Sequence, residues 1–209
     1  MKKFFLSVVT ILSISLVSNA QFKVGIKAGI NDNDQRIKVT EGSIYGGDKF
    51  KGYHAGLVGD LNLGKNFYLQ PQLLFTRKGA IHLSSTGAED MKIKMNYVEM
   101  PLNVLYKIDL PFGKVFGGTG VTLSYAVGGK QEQDGVTKKL YSNTGNNWRR
   151  EDISLNFTAG LEFNNGLFVS ANSQKGLRNV YKAGADIKNR SMSVSVGYLI
   201  DWNKFKRKA

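Results

Sequence analysis

Residues 192–202 read MSVSVGYLIDW. Met192, Val194, Val196, Tyr198, Ile200 and Trp202 form one oily series, interleaved with Ser193, Ser195, Gly197, Leu199 and Asp201. A strand turns successive side chains to opposite faces, so the stretch predicts a strand with one apolar face and one face that is mainly small or polar. The same period of two recurs upstream. Phe22, Val24, Ile26, Ala28 and Ile30 alternate with Lys23, Gly25, Lys27 and Gly29, and six more alternating runs begin near Tyr53, Phe67, Val98, Val115, Ile153 and Leu167. The count is eight strands.

Alternation by itself suits a soluble barrel or sandwich with an oily interior equally well. The connections decide the matter. Three are short: Gly64-Lys65-Asn66, Asp109 to Gly113, and Asn164-Asn165-Gly166. The other four, around 31–50, 78–92, 129–152 and 175–190, are long and polar, and the two kinds alternate strictly, as in a barrel with tight periplasmic turns and long outer loops. The polar faces, rich in Gly, Ser, Thr, Asn and Gln, cannot form the oily core of a soluble barrel, but they suit the filled lumen of a small membrane barrel. In lipid a closed sheet pairs every backbone group internally. The expected fold class is therefore all-β, an eight-stranded antiparallel transmembrane β-barrel with short periplasmic turns and long extracellular loops. Tyr53, Phe67, Phe75, Tyr106, Tyr125, Phe163, Tyr198 and Trp202 fall near strand ends, where an interfacial aromatic girdle belongs.

The chain start reads as an export signal. Lys2 and Lys3 precede the apolar FFLSVVTILSISLV, and Ser18-Asn19-Ala20 supplies small residues ahead of Gln21. The expected organisation is a cleaved signal peptide at 1–20, an outer-membrane barrel at 21–202 and a basic periplasmic tail at 203–209. The expected location is the outer membrane of a Gram-negative cell. Among 209 residues there is no cysteine, which removes disulfides, thiolate metal sites and a thiol nucleophile. The 24 glycines against 3 prolines agree with a turn-rich β protein.

The blocks GIKAGIN (25–31), YLQPQLLFTRKG (68–79), YVEMPLNVLYK (97–107), VFGGTGVTLSYAVGGK (115–130), FTAGLEFNNGLFVSANSQKGLRNVY (157–181) and SMSVSVGYL (191–199) resemble successive blocks of the PorT-like outer-membrane β-barrel family. The resemblance spans nearly the whole mature chain in order. It implies an eight-stranded barrel of the small OmpX and OmpA type, and it raises a role in outer-membrane protein secretion, with secretion-machinery proteins as partners. Ser195 to Trp202 also resembles the terminal β-signal read by the barrel-assembly machinery, although NKFKRKA follows it. Pro71 and Pro101 fall inside strands, where proline cannot donate to the ladder. They mark either bulges or interruptions, and the matching prolines of the family blocks favour bulges.

The formal charge is +13, and removing Lys2 and Lys3 leaves 27 − 16 = +11. The excess is local. Lys175, Arg178, Lys182, Lys188 and Arg190 face only Asp186 in the fourth long connection, and no recognition helix or stacking platform accompanies them. A nucleic-acid partner is thus excluded. Contact with outer-membrane lipid, through lipopolysaccharide phosphates, suits these cations, as does a simply solvated loop. No catalytic, cofactor or metal constellation surrounds His54 or His82; NDND (31–34) lacks the glycine and glutamate of a calcium loop, and no helix follows GGTG (117–120). The polar face does carry a charge set: Lys23, Asp60, Lys107, Glu162 and Asp201 towards the periplasmic end, and Lys27 and Glu99 near mid-height. Shielded charges must pair, so a closed lumen crossed by lysine–carboxylate pairs is expected, with Lys27 and Glu99 the central members.

Overall fold

The structure, a computed structural model, describes residues 22–38, 44–46, 49–82, 91–133, 135–141, 147–182 and 186–201. The expected signal peptide, Trp202 and the tail at 203–209 lie outside these residues. Eight long strands form the wall: β1 (Phe22–Lys38), β3 (Phe50–Gly64), β4 (Phe67–His82), β5 (Met91–Leu110), β6 (Gly113–Gln133), β8 (Glu151–Phe163), β9 (Leu167–Gly176) and β10 (Asp186–Asp201). Two short strands, β2 (Ile44–Gly46) and β7 (Val136–Lys139), pair onto the ends of β1 and β6. Each wall strand is antiparallel to its neighbours, and β10 returns to β1 through a register running from Lys23 opposite Asp201 to Lys38 opposite Asp186. The sheet therefore closes and has no free edge, which is the condition for strands to cross lipid.

The oily series points out. Met192, Val194 and Val196 are 67%, 61% and 51% exposed, as are Ile26, Ile30 and Leu57 to similar degrees, whereas Ser191, Ser195, Asn103, Thr122 and Asn156 are buried. This inverts the pattern of a water-soluble protein and sets the apolar band against acyl chains. Aromatic residues mark its borders. Phe67, Tyr106, Phe112 and Tyr198 are exposed near the periplasmic ends, with Phe67 and Tyr106 packed edge to face at 5.2 Å, while Tyr53, Phe75 and Tyr125 lie towards the other end.

Two expectations about the backbone are corrected. The long connections are shorter than the alternation implied, because β4 runs on to His82, β5 starts at Met91 and β6 reaches Gln133. Strands of 20 and 21 residues (β5 and β6) are about twice what a band of ~25 Å requires, so their upper ends rise past the apolar band, where neither face need be oily and the apolar period fades. The prolines are not at bulges. They mark interruptions: register is unchanged across Pro71, since Pro71 faces Leu102 and Leu74 faces Glu99, but pairing lapses between those positions and, on the β3 side, between Val58–Gln72 and Leu61–Leu69, while Pro101 keeps its place opposite Thr122. The register shifts fall elsewhere, between Asn62 and Gly64 and between Asn96 and Tyr97, where the extra residue of β6 is Val127. At the periplasmic side, Gly64 and Lys65 both take positive φ (116° and 51°) to reverse the chain before Phe67. The second turn is tighter than expected, with only Pro111 and Phe112 between β5 and β6.

Candidate functional site

The lumen holds three layers of side chains. Nearest the periplasm, Lys107 Nζ donates to Asp60 Oδ2 at 2.8 Å and to Glu162 Oε2 at 2.6 Å, and Lys23 Nζ reaches Glu162 Oε1 at 2.6 Å. Lys23 lies in register opposite both Asp60 on β3 and Asp201 on β10, and Lys107 from β5 and Glu162 from β8 reach this group across the lumen. The Lys107 ammonium also stands 4.5 Å from the Tyr68 ring centroid, within cation–π range. Tyr68, Leu105 and Phe116 form a small apolar cluster there, and Val58, Phe168 and Leu199 form another.

At mid-height Glu99 accepts from Thr76 at 2.9 Å and Ser124 at 2.8 Å and is ion-paired with Lys78 at 2.6 Å. Lys27 donates to Gln72 at 3.3 Å, and Gln72 in turn donates to Gln70. Glu99 thus takes Lys78 as its partner, where Lys27 was expected. Strand β4 carries Lys78 inward two residues above Thr76, on the wall strand adjacent to Glu99. A chain of amide and hydroxyl bonds completes the layer: Lys78 to Gln174, Gln174 to Thr122, Thr122 to Asn156, and Asn156 to Asn103. The third layer, towards the loops, joins Asn31 to Asn33 and Gln35 to Asn189, and Asn189 to Asp152 at 2.8 Å. Among the described residues, Lys27, Lys78 and Lys107 are buried in the lumen with Asp60, Glu99, Asp152 and Glu162, and Lys23, Lys114 and Asp201 are half-buried at its periplasmic end, so the positive excess of the chain sits outside it.

Above these layers an apolar cap closes the mouth. Leu140, Trp148 and Val180 come from the connections and pack on Ile93, Met95, Tyr97 and Ile187. Trp148 bridges to Tyr181 through the backbone, with their rings at 5.1 Å. Burial pushes the Tyr141 hydroxyl at the cap's edge up to about 12.

Lys78 and Asp152 were missed in the sequence because both fell in stretches read as loops. The usable signal was parity: Thr76, Lys78 and Ala80 continue the inward series of β4. His54 lies within reach of Ser195 (2.9 Å) and Asn31 (3.4 Å), and Gly29 leaves room for its ring, since a Cβ there would come within 2.7 Å of it. A serine–histidine–asparagine grouping invites a catalytic reading, but the adjoining cavity is only ≈ 20 Å³, about one water. No substrate fits. Among the described residues no cluster of three or more metal-binding side chains occurs. Purified protein in planar bilayers should accordingly give no steady conductance; porin-like steps would show that the lumen is a water path.

The fourth-loop cations take positions on the outer rim. Lys175 lies opposite Arg190, which is flanked by Asp34, and Lys188 lies opposite Arg36. Arg178 approaches Glu151 at 3.6 Å and Lys188 approaches Asp186 at 3.4 Å, while the Lys182 backbone N–H donates to the Asn147 carbonyl.

The model of the family described as "Outer membrane protein beta-barrel domain" matches residues 18–182. No curated protein matches by sequence. Among solved structures, the chain is similar to the outer-membrane protein OprG of Pseudomonas aeruginosa (12% identity, TM-score 0.51, covering 87% of this chain and 97% of that one). It is also similar to Ail, the attachment invasion locus protein of Yersinia pestis (16%, 0.45, 86% and 99%), and to the outer membrane enzyme PagL (14%, 0.45, 80% and 98%). At such identities the likeness concerns the fold.

Proposed function

Because the chain belongs to the outer-membrane protein β-barrel domain family and resides in the outer membrane, we propose that it works without enzymatic chemistry, as an envelope protein whose outer rim and loops bind partners. The observation that carries this reading is the filled lumen. With charges balanced inside, an apolar cap above and a cavity of ≈ 20 Å³, the lumen offers neither a path nor a substrate pocket, and the reactive surface is the basic exterior. Lys175, Arg178, Lys182, Lys188 and Arg190 stand where lipopolysaccharide phosphates would meet them. Export through cleavage before Gln21, insertion by the barrel-assembly machinery and a periplasmic tail at 203–209 belong to the same reading.

The PorT-like blocks favour a second role, as a component of a secretion machine, in which the same closed barrel would act as a docking element. Deleting the gene and profiling outer-membrane and secreted proteins separates the two. The first reading expects altered permeability or adhesion with normal export. Loss of many exported proteins would overturn it in favour of the second.

A further inference from the structure

A second basic surface lies on the upper rim over β5, β6 and β7, with Arg150 at its border. Lys94 on β5 faces Lys130 on β6, and Lys130 faces Lys139 on β7, so three lysines stand in one row across three strands. Like charges placed directly opposite each other in a sheet repel. Only Glu132 offsets them among the described residues, bonding Lys130 at 2.7 Å and also Lys94. Arg77 and Arg150 join the same groove, which measures ≈ 390 Å³. Arg150 is held in place by its Nη1 bond to the Ala126 carbonyl at 2.9 Å and by stacking over Tyr141 at 4.6 Å. Five cations against one carboxylate leave 5 − 1 = +4.

The height of the groove identifies what neutralises it. Phe75, Val98 and Tyr125 form one outward row at the upper aromatic border, Arg77 and Asn96 the next, and the three lysines the one above. Two residues of strand rise ~6.6 Å, less when tilted, so the cations stand on the order of 5–10 Å above the border, at headgroup depth. We propose that this groove binds a phosphate of an outer-leaflet glycolipid, with Lys94, Lys130 and Lys139 as its ammonium ligands and Arg150 as a pre-positioned guanidinium. Phosphate oxygens accept charge-assisted hydrogen bonds from both residue types and remove the repulsion along the row. The site rests on the outer-membrane location and does not depend on the fourth loop.

The test titrates detergent-solubilised full-length protein with bis-phosphorylated lipid A, with dephosphorylated lipid A and with inorganic phosphate, using wild type, K94Q/K130Q/K139Q and R178Q/K182Q/K188Q. Heat-modifiable migration reports folding of each variant, and K139E alone, on the exposed β7, serves if the triple variant fails to fold. Phosphorylated lipid should bind the wild type in a salt-sensitive manner. The lysine-row variant should lose on the order of tenfold or more, as expected for losing even one charge-assisted bond, and dephosphorylated lipid should bind as weakly. Undiminished binding by the lysine-row variant would overturn the proposal, and if the fourth-loop variant alone lost binding, the loop reading would stand without it. Equal affinity for inorganic phosphate would also overturn it, by showing a free-anion site.

Discussion

Replacing Lys107 by methionine is expected to lower unfolding free energy by about 3–5 kcal/mol, the range for breaking a buried ion pair by removing one partner. One ammonium here serves two carboxylates. Lys107, Asp60 and Glu162 have side chains 1%, 1% and 3% exposed, Lys107 bonds Asp60 through Oδ2, and Asp60 Oδ1 has no hydrogen-bond partner among the described residues. Glu162 keeps Lys23 after the substitution, whereas the direct partner of Asp60 is gone. The cost should therefore concentrate at Asp60, and the K107M/D60N double variant should recover a large part of it. Urea titration of the refolded barrel, read by heat-modifiable migration, gives the stabilities of wild type, K107M and the double variant. A K107M protein as stable as wild type, or a double variant no better than the single, would show that water reaches this layer and that the pairing does not hold the lumen shut.

The fold was legible because lipid imposes one rule on every strand. Outward residues of the band must be apolar, so Met192, Val194 and Val196 declare their face without reference to any partner, and the short–long alternation of connections adds the direction. The site was less legible for two reasons. The rule lapses above the membrane, so the end of β4 from Lys78 and the first two residues of β8 read as loops and hid Lys78 and Asp152. Register is also set by contacts between strands distant in sequence, and no local pattern reports it. Parity could place Glu99 inside, but only the β4–β5 register, with Leu74 opposite Glu99 and Arg77 opposite Asn96, brings Lys78 to it in place of Lys27. Proline shows the same limit. The residue type warned of a disturbed ladder at positions 71 and 101, and pairing does lapse beside both, but it could not tell an interruption from a bulge, and the register shifts lie at Asn62/Gly64 and Asn96/Tyr97.

Truncating Glu99 to alanine should cost less than K107M but more than an alanine substitution in an outer connection. The carboxylate is 2% exposed and collects three donors, from Lys78, Thr76 and Ser124, so its removal strips the ion-pair partner from Lys78 and leaves two hydroxyls without their acceptor. By itself this points to the same ~3–5 kcal/mol. Two features reduce it. Lys78 retains its bond to Gln174 at 2.7 Å, and Glu99 borders the ≈ 20 Å³ cavity, which truncation enlarges so that water can enter and take up the freed donors. About 2–3 kcal/mol is the expected loss, near the cost of leaving a charged hydrogen-bonding group unmatched. E99Q separates charge from volume, because the amide oxygen keeps one acceptor, the NH2 in place of the other oxygen donates to a hydroxyl that must turn to accept it, and Lys78 loses its counter-charge. It should fall between wild type and E99A. Wild-type stability in E99Q together with a large loss in E99A would assign the role of Glu99 to hydrogen bonding and volume, and the ion pair at mid-height would no longer account for the closed lumen.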